Sequence, residues 1–214
     1  GEGVLAGEPS FFIRTSGCNL RCRWCDTPYT AWVPEGERRA LEALLAEVAA
    51  SSLTHVVVTG GEPLLQRQIG ELTERLAADG RHVTVETAGT VAPPFHCDLL
   101  SLSPKTANSD PPGRFQGRHR MLRSNVETIC TLLRRFAEHQ LKFVVDDPDD
   151  LDEILALIES CGPVEPDRVL LMAQGRTADE VSQRAAAVAA LCLVHGFRYT
   201  PRLHLDLFGG GRGV

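Results

Sequence analysis

The sequence predicts an α/β fold, a partial and open β/α barrel of about six strand–helix units, spanning residues 1–214 as a single domain. Three observations predict it. Segments of strand and helix period alternate along the whole chain, the pattern of a mostly parallel sheet with helices outside it. The chain has 214 residues, whereas a closed eight-unit barrel typically takes about 250. The cysteine-rich, glycine-rich and polar segments all fall at the C-terminal ends of predicted strands, where such sheets gather their sites.

Taken in order, Ser10 to Thr15 reads as the first strand. Leu41, Leu44, Leu45 and Val48 recur at i, i+3, i+4 and i+7, which is helical. His55 to Thr59 is a β-branched run of the kind buried in parallel sheets. Ile69, Leu72 and Leu76 mark the next helix, and Gly80 stops it. His82 to Glu86 and Leu99 to Leu102 are strands. Leu122, Val126, Ile129, Leu133 and Phe136 predict one face of a longer helix. Leu141 to Val145 is a strand, Leu151 to Ile158 a helix and Val169 to Met172 a strand. Val181, Ala185, Val188 and Cys192 stripe a last helix, before a final strand at Phe197 to Thr200. The acidic run Asp146 to Glu153 reads as a solvated loop and helix N-terminus, where carboxylates favour the dipole. Its spacing does not fit a calcium loop of the EF-hand type.

A net charge of −6 and an isoelectric point near 5.7 argue against sequence-independent binding to nucleic acid. No apolar run approaches a membrane span and no secretory signal is visible, so a cytoplasmic location is expected. Three of the seven cysteines lie close together. Cys97, Cys130, Cys161 and Cys192 are scattered through apolar segments and read as small buried hydrophobes. This usage suits a metal site in a reducing compartment better than a disulfide framework.

The strongest chemical signal is Cys18-Asn19-Leu20-Arg21-Cys22-Arg23-Trp24-Cys25, directly after the first strand. Three thiolates spaced this tightly can each bind one iron of a cubane, leaving the fourth iron without a protein ligand. The alternative is structural zinc, which needs a fourth ligand; the next His or Cys is His55. The second signal is Thr59-Gly60-Gly61-Glu62-Pro63, at the end of the second strand, where two glycines let backbone approach a ligand. Alone it is equally an ordinary strand-to-helix turn. Polar groups also end later strands: Glu86 and Thr87, Ser101, Ser103 and Lys105, and Gln174. Singly, each is compatible with loop polarity or a solvated lysine.

The CxxxCxxC loop after a first strand, with an aromatic residue before its third cysteine, resembles the radical SAM superfamily. GGEP in the right order downstream strengthens the resemblance. It implies a 4Fe–4S cluster on Cys18, Cys22 and Cys25 and a radical SAM core. S-adenosylmethionine would be held by Trp24, Thr59, Gly60, Gly61, Glu62, Glu86, Ser101, Ser103, Lys105 and Gln174. Gly1-Glu2-Gly3, the continuation Cys25-Asp26-Thr27-Pro28 and Ser103-Pro104-Lys105 are similar to the deazapurine-forming family of queuosine biosynthesis. That family implies conversion of 6-carboxy-5,6,7,8-tetrahydropterin to a carboxylated 7-deazaguanine by hydrogen abstraction at C6, ring contraction and loss of ammonia.

It further implies Mg²⁺ at Thr27, which from sequence alone is a turn residue before Pro28. The substrate would be read by Glu2, Gly3, Arg14, Thr87 and His204, the last of which is otherwise an exposed tail histidine. A flavodoxin or ferredoxin would supply the electron, and the enzyme would be a homodimer. Family members usually carry a short strand and a Gln before Gly-Glu-Gly, so the first strand is expected to be truncated. The glycine-rich end is expected to be a flexible tail over residues 205–214. Two rivals remain: an activase of glycyl-radical enzymes, and a non-catalytic iron–sulfur or zinc module.

Overall fold

Apolar β-branched runs bounded by polar turns build the sheet. The computed structural model describes residues 1–211. Its strands are β1 (Ser10–Thr15), β2 (His55–Gly60), β3 (His82–Thr87), β4 (Leu99–Leu102), β5 (His139–Val145), β6 (Val169–Ala173) and β7 (Arg198–Tyr199). They form one sheet in sequence order, every neighbouring pair parallel. β1 and β7 do not pair among the described residues, so the barrel is open.

The helices are α1 (Pro28–Ala31), α2 (Leu41–Ala50), α3 (Ile69–Ala78), α4 (Gln116–Arg123), α5 (Val126–Arg135), α6 (Asp150–Cys161), α7 (Ala178–His195) and α8 (Leu203–Phe208). None of the helices described is long and apolar enough to cross a membrane.

The period of two along β5 and β6 separates core from lumen. Leu141, Phe143 and Val145, with Val169, Leu171 and Ala173, join the main apolar core against the helices. Gln140 and Lys142 alternate with them and face the other way, toward Ser101, Glu2 and Glu86. Along β5, apolar residues therefore face the helices and polar residues face the lumen.

Three features differ from the sequence expectations. The single helix predicted from Leu122 to Phe136 is two, because Asn125 caps α5 by accepting a hydrogen bond from Thr128 N (3.3 Å). Cys130 on α5 and Cys161 on α6 form a disulfide with Cα atoms 4.9 Å apart, which corrects the reading of both as free hydrophobes. Within the segment expected as a flexible tail, Leu205 to Phe208 are helical and Leu205 is buried. Residues 212–214 of that segment lie outside those described.

Candidate active site

The cysteine loop leaves β1 and is tied at both ends. Gly17 N donates to Thr30 O (2.8 Å), and Glu62 N donates to Gly17 O (2.9 Å). Trp32 Nε1 donates to Cys22 O (3.1 Å), and Arg21 N donates to Nδ1 of the buried His119 (3.0 Å). Asn19 bonds Thr90 (3.0 Å), and Trp24 Nε1 donates to Asn108 O (2.9 Å). These anchors come from α1, α4 and the loops after β3 and β4, so the loop is ordered by the fold rather than by its own short sequence.

All three loop cysteines are free thiols, Cys22 buried and Cys18 and Cys25 half-buried. Burial pushes the Cys18 thiol up to about 11 and the Cys22 thiol up to about 12, and neighbouring loop thiols reinforce both shifts. Metal binding has to displace those protons. The donor set fits a cluster better than a single ion. A tetrahedral zinc needs its sulfurs about 3.8 Å apart, given Zn–S distances near 2.3 Å. Among the described residues, only Glu2, Asp26 and His204 bring three ligand atoms within 4.8 Å of one another. A closed zinc site takes four ligands, and the cysteine loop supplies three thiols. Cys97 and Cys192 are buried in the core and Cys130 and Cys161 are paired, so the loop offers three sulfurs and no fourth. The residues present fit a cubane with one iron left open.

The glycine turn after β2 packs directly beneath this loop. A Cβ on Gly61 would lie 2.2 Å from Gly17 O, and one on Gly60, whose φ is +137°, 2.2 Å from Thr15 O. Thr59 is buried in β2, opposite Arg14 in register. Glu62 departs from expectation. Its carboxylate is fully buried and accepts from Leu64 N (3.1 Å), Thr87 Oγ1 (2.7 Å) and Ala88 N (2.9 Å). It joins the segments that follow β2 and β3.

Thr87 is engaged in the same way, and Ser101 is fully buried beneath Gln140 Nε2 (2.7 Å). Each of these hydroxyls bonds a residue from a neighbouring segment, Thr87 to Glu62 and Ser101 to Gln140. Lys105 Nζ reaches Ser103 Oγ (2.7 Å) and lies 5.8 Å above the Trp24 ring, beside the cysteine loop. Gln174 is half-buried, with no partner for its side chain among the described residues.

At the mouth, the segment from Gly1 to Val4 is strapped across the sheet. Gly3 N donates to Thr200 Oγ1 (2.7 Å), and Val4 N donates to Gln140 Oε1 (2.8 Å). Gly3 has φ +82°, and a Cβ there would meet Gln140 Nε2 at 2.4 Å. This strap brings Glu2 against Asp26 and His204. Burial lowers the His204 pKa, which favours a neutral imidazole near pH 7. Arg14 is exposed on β1 and forms no ion pair or hydrogen bond among the described residues.

Sequence reading missed four residues here. Lys142 bonds Glu2 and Glu86. Arg202 bonds Asp26 and Gly175 O. Asp26 joins the mouth, and His119 braces the loop. A lysine in the middle of an apolar parallel strand was a usable signal, as was the place of Asp26 directly after Cys25; nothing local marked Arg202 or His119. Arg23 also pairs with Asp146 (2.8 Å), so part of the acidic run expected to be solvated braces the cysteine loop.

The description of the radical SAM superfamily matches residues 12–161. The chain is 44% identical over 218 residues to the 7-carboxy-7-deazaguanine synthase of Rhodopirellula baltica, covering 100% of this chain and 84% of that protein. It is 44% identical to the enzyme of that name from Halobacterium salinarum (97% and 86% covered), and 33% identical to the one from Pyrobaculum aerophilum (100% and 92%). Among solved structures it is similar to QueE from Escherichia coli, with a TM-score of 0.66 and 22% identity over 94% of this chain and 88% of that one. Streptococcus suis SuiB bound to S-adenosylmethionine is also similar, with a TM-score of 0.57 and 13% identity over 90% and 50%. These two likenesses bear on the fold alone.

Proposed function

Because the chain belongs to the radical SAM superfamily, and within it to the 7-carboxy-7-deazaguanine synthases, we propose that its mouth takes 6-carboxy-5,6,7,8-tetrahydropterin and converts it to 7-carboxy-7-deazaguanine. It is an enzyme, a radical SAM lyase. The observation that carries the substrate reading is the meeting of Glu2 and His204 with Asp26. Asp26 directly follows Cys25, so a ligand seated there lies beside the cysteine loop.

When bound, a 4Fe–4S cluster and S-adenosylmethionine would supply hydrogen-atom abstraction at C6 and the return of that hydrogen, so that the conversion to the deazaguanine and ammonia needs no net oxidant. The chain's own residues do the rest. Cys18, Cys22 and Cys25 hold the cluster. The carbonyls around Gly60 and Gly61, with Trp24, Thr59, Ser103, Lys105 and Gln174, hold S-adenosylmethionine along the rim. Glu86 stands between the two ligands. Glu2 and the Gly3 backbone take the N–H-rich edge of the pterin, His204 closes over it and Arg14 meets its carboxylate. The mouth then excludes water while the ring contracts and ammonia leaves. The direct test is product formation by the reconstituted, reduced protein: a deazapurine and ammonia should appear only when S-adenosylmethionine and the pterin are both present, and recovery of the pterin unchanged with both present contradicts the assignment.

Arg14 has no internal partner to satisfy, so its guanidinium is available for a substrate anion. Arg14→Ala is expected to weaken pterin binding about ten- to a hundredfold, the worth of a hydrogen bond to a charged group. S-adenosylmethionine affinity, titrated separately, should be unchanged.

Mg²⁺ completes the site through Thr27. The Thr27 side chain does not cap α1, and its Oγ1 lies 3.8 Å from Cys25 Sγ, so the hydroxyl is available as a hard ligand beside the Asp26 carboxylate. Thr27→Ala is expected to raise the Mg²⁺ concentration for half-maximal turnover about tenfold or more, with iron content intact. An unchanged Mg²⁺ response would remove Thr27 from the site. A flavodoxin or ferredoxin supplies the electron in the cytoplasm. The exposed Leu193, Val194, Leu207 and Phe208 support a homodimer.

A further inference from the structure

The chain has two lysines, Lys105 and Lys142, and every other strong base is arginine. Lys142 projects from the middle of β5 and is 4% exposed. Its Nζ lies 2.6 Å from Glu2 Oε2 and 3.2 Å from Glu86 Oε1. A buried ammonium needs compensation, and one carboxylate supplies the balancing charge. Lys142 holds two, from segments far apart in the chain. On the other side of Glu2, Arg202 Nε lies 4.0 Å from Oε1 and has no hydrogen-bond partner. One oxygen of Glu2 is therefore taken by Lys142, while the other has a cation nearby but no bond to it. Flanked in this way, Glu2 stays ionised, an acceptor with no proton to give. The backbone of the strap does not depend on this contact, since Gln140 and Thr200 already bind Val4 N and Gly3 N.

We propose that Lys142 is a positioning residue that sets ligand selectivity at the mouth. By holding Glu2 as an acceptor-only carboxylate in one orientation, it makes the site select a heterocycle edge with adjacent N–H donors. The 2-amino-4-oxo edge of a pterin is such an edge. An edge with a carbonyl at the 2-position sets lone pair against lone pair and is rejected. The proposal rests on the reading of the mouth as a pterin site.

The test compares two fluorescent ligands that have no hydrogen at C6 to lose, 6-carboxypterin and its 2-oxo counterpart 6-carboxylumazine. Each is titrated into reconstituted holoenzyme, with S-adenosylmethionine affinity measured separately. The native enzyme should prefer the pterin by about ten- to a hundredfold. Lys142→Met and Lys142→Gln should each lose most of that preference, as Glu2→Gln does, with S-adenosylmethionine affinity kept. Lys142→Arg should restore it. Equal loss of both heterocycles and of S-adenosylmethionine in the neutral variants would overturn the proposal in favour of a structural pin. If Glu2→Gln loses the preference while Lys142→Met and Lys142→Gln keep it, the proposal alone falls. If Glu2→Gln changes neither affinity nor preference, the pterin reading of Glu2 fails and takes the proposal with it.

Discussion

Replacing any one of Cys18, Cys22 or Cys25 by alanine is expected to abolish S-adenosylmethionine cleavage while leaving the fold nearly intact. The fold should survive because the loop is held by its backbone and by other side chains. Gly17, Arg21 and Cys22 are tied through main-chain atoms to Thr30, His119 and Trp32, and Trp24 is tied to Asn108. None of these bonds uses a sulfur, and Cys18 and Cys25 are only half-buried. Activity cannot survive, because no other sulfur can take the missing place. Cys97 and Cys192 are buried in the apolar core, and Cys130 and Cys161 are bonded to each other. Removing the group that performs the chemistry forfeits an acceleration of about 10⁶-fold or more. Iron content, the reduced-cluster EPR signal and 5′-deoxyadenosine should all disappear together, with the melting temperature little changed. Cys97→Ala and Cys192→Ala should retain iron; loss of iron from either would break the ligand assignment.

Gly61→Ala is expected to lower stability sharply. The new Cβ would sit 2.2 Å from Gly17 O, 2.7 Å from Gly17 C and 2.9 Å from Thr30 O. All three are backbone atoms, so no side chain can swing aside. They also belong to the bonds that fix the start of the cysteine loop. Overpacking of this kind costs about 1–3 kcal/mol, occasionally more. For a chain of this size that corresponds to roughly 2–4 °C of melting temperature per kcal/mol. Iron uptake on reconstitution should fall with it, because the displaced atoms carry the loop. Gly117→Ala is the control. It lies within α4 and its Cβ would meet nothing within 4 Å. It should be neutral or slightly stabilising, since alanine is the better helix former by about 1 kcal/mol. Equal effects from the two substitutions would show that the close packing of the turn against the loop is not what holds the site.

The parts of this site legible in the sequence are those whose chemistry is written in local spacing. Three cysteines in one loop, and two glycines after a β-branched run, announce themselves because each group is contiguous and lies at a strand end. The sheet was legible for the same reason, since strand and helix periods are local. What sequence reading lost depends on register between distant strands. Lys142 on β5 meets Glu86 on β3 and Glu2 at the chain start only once β4 has set their separation. Likewise, the bonds of Glu62 to Thr87 and of Ser101 to Gln140 join segments far apart in the chain and are not written in local spacing. The break between α4 and α5 was written locally as Ser124-Asn125, a capping pair, but the apolar period runs straight through it and masked it.

The most direct test of the account is product analysis under anaerobic turnover. Reconstituted, reduced protein is incubated with S-adenosylmethionine, Mg²⁺ and 6-carboxy-5,6,7,8-tetrahydropterin labelled with deuterium at C6, and the products are read by mass spectrometry together with released ammonia. The account predicts a product lighter than the pterin by one ammonia, 7-carboxy-7-deazaguanine, formed mole for mole with that ammonia, and deuterium appearing in the 5′-deoxyadenosyl group. Production of 5′-deoxyadenosine with the pterin recovered unchanged and no deuterium transferred would contradict it.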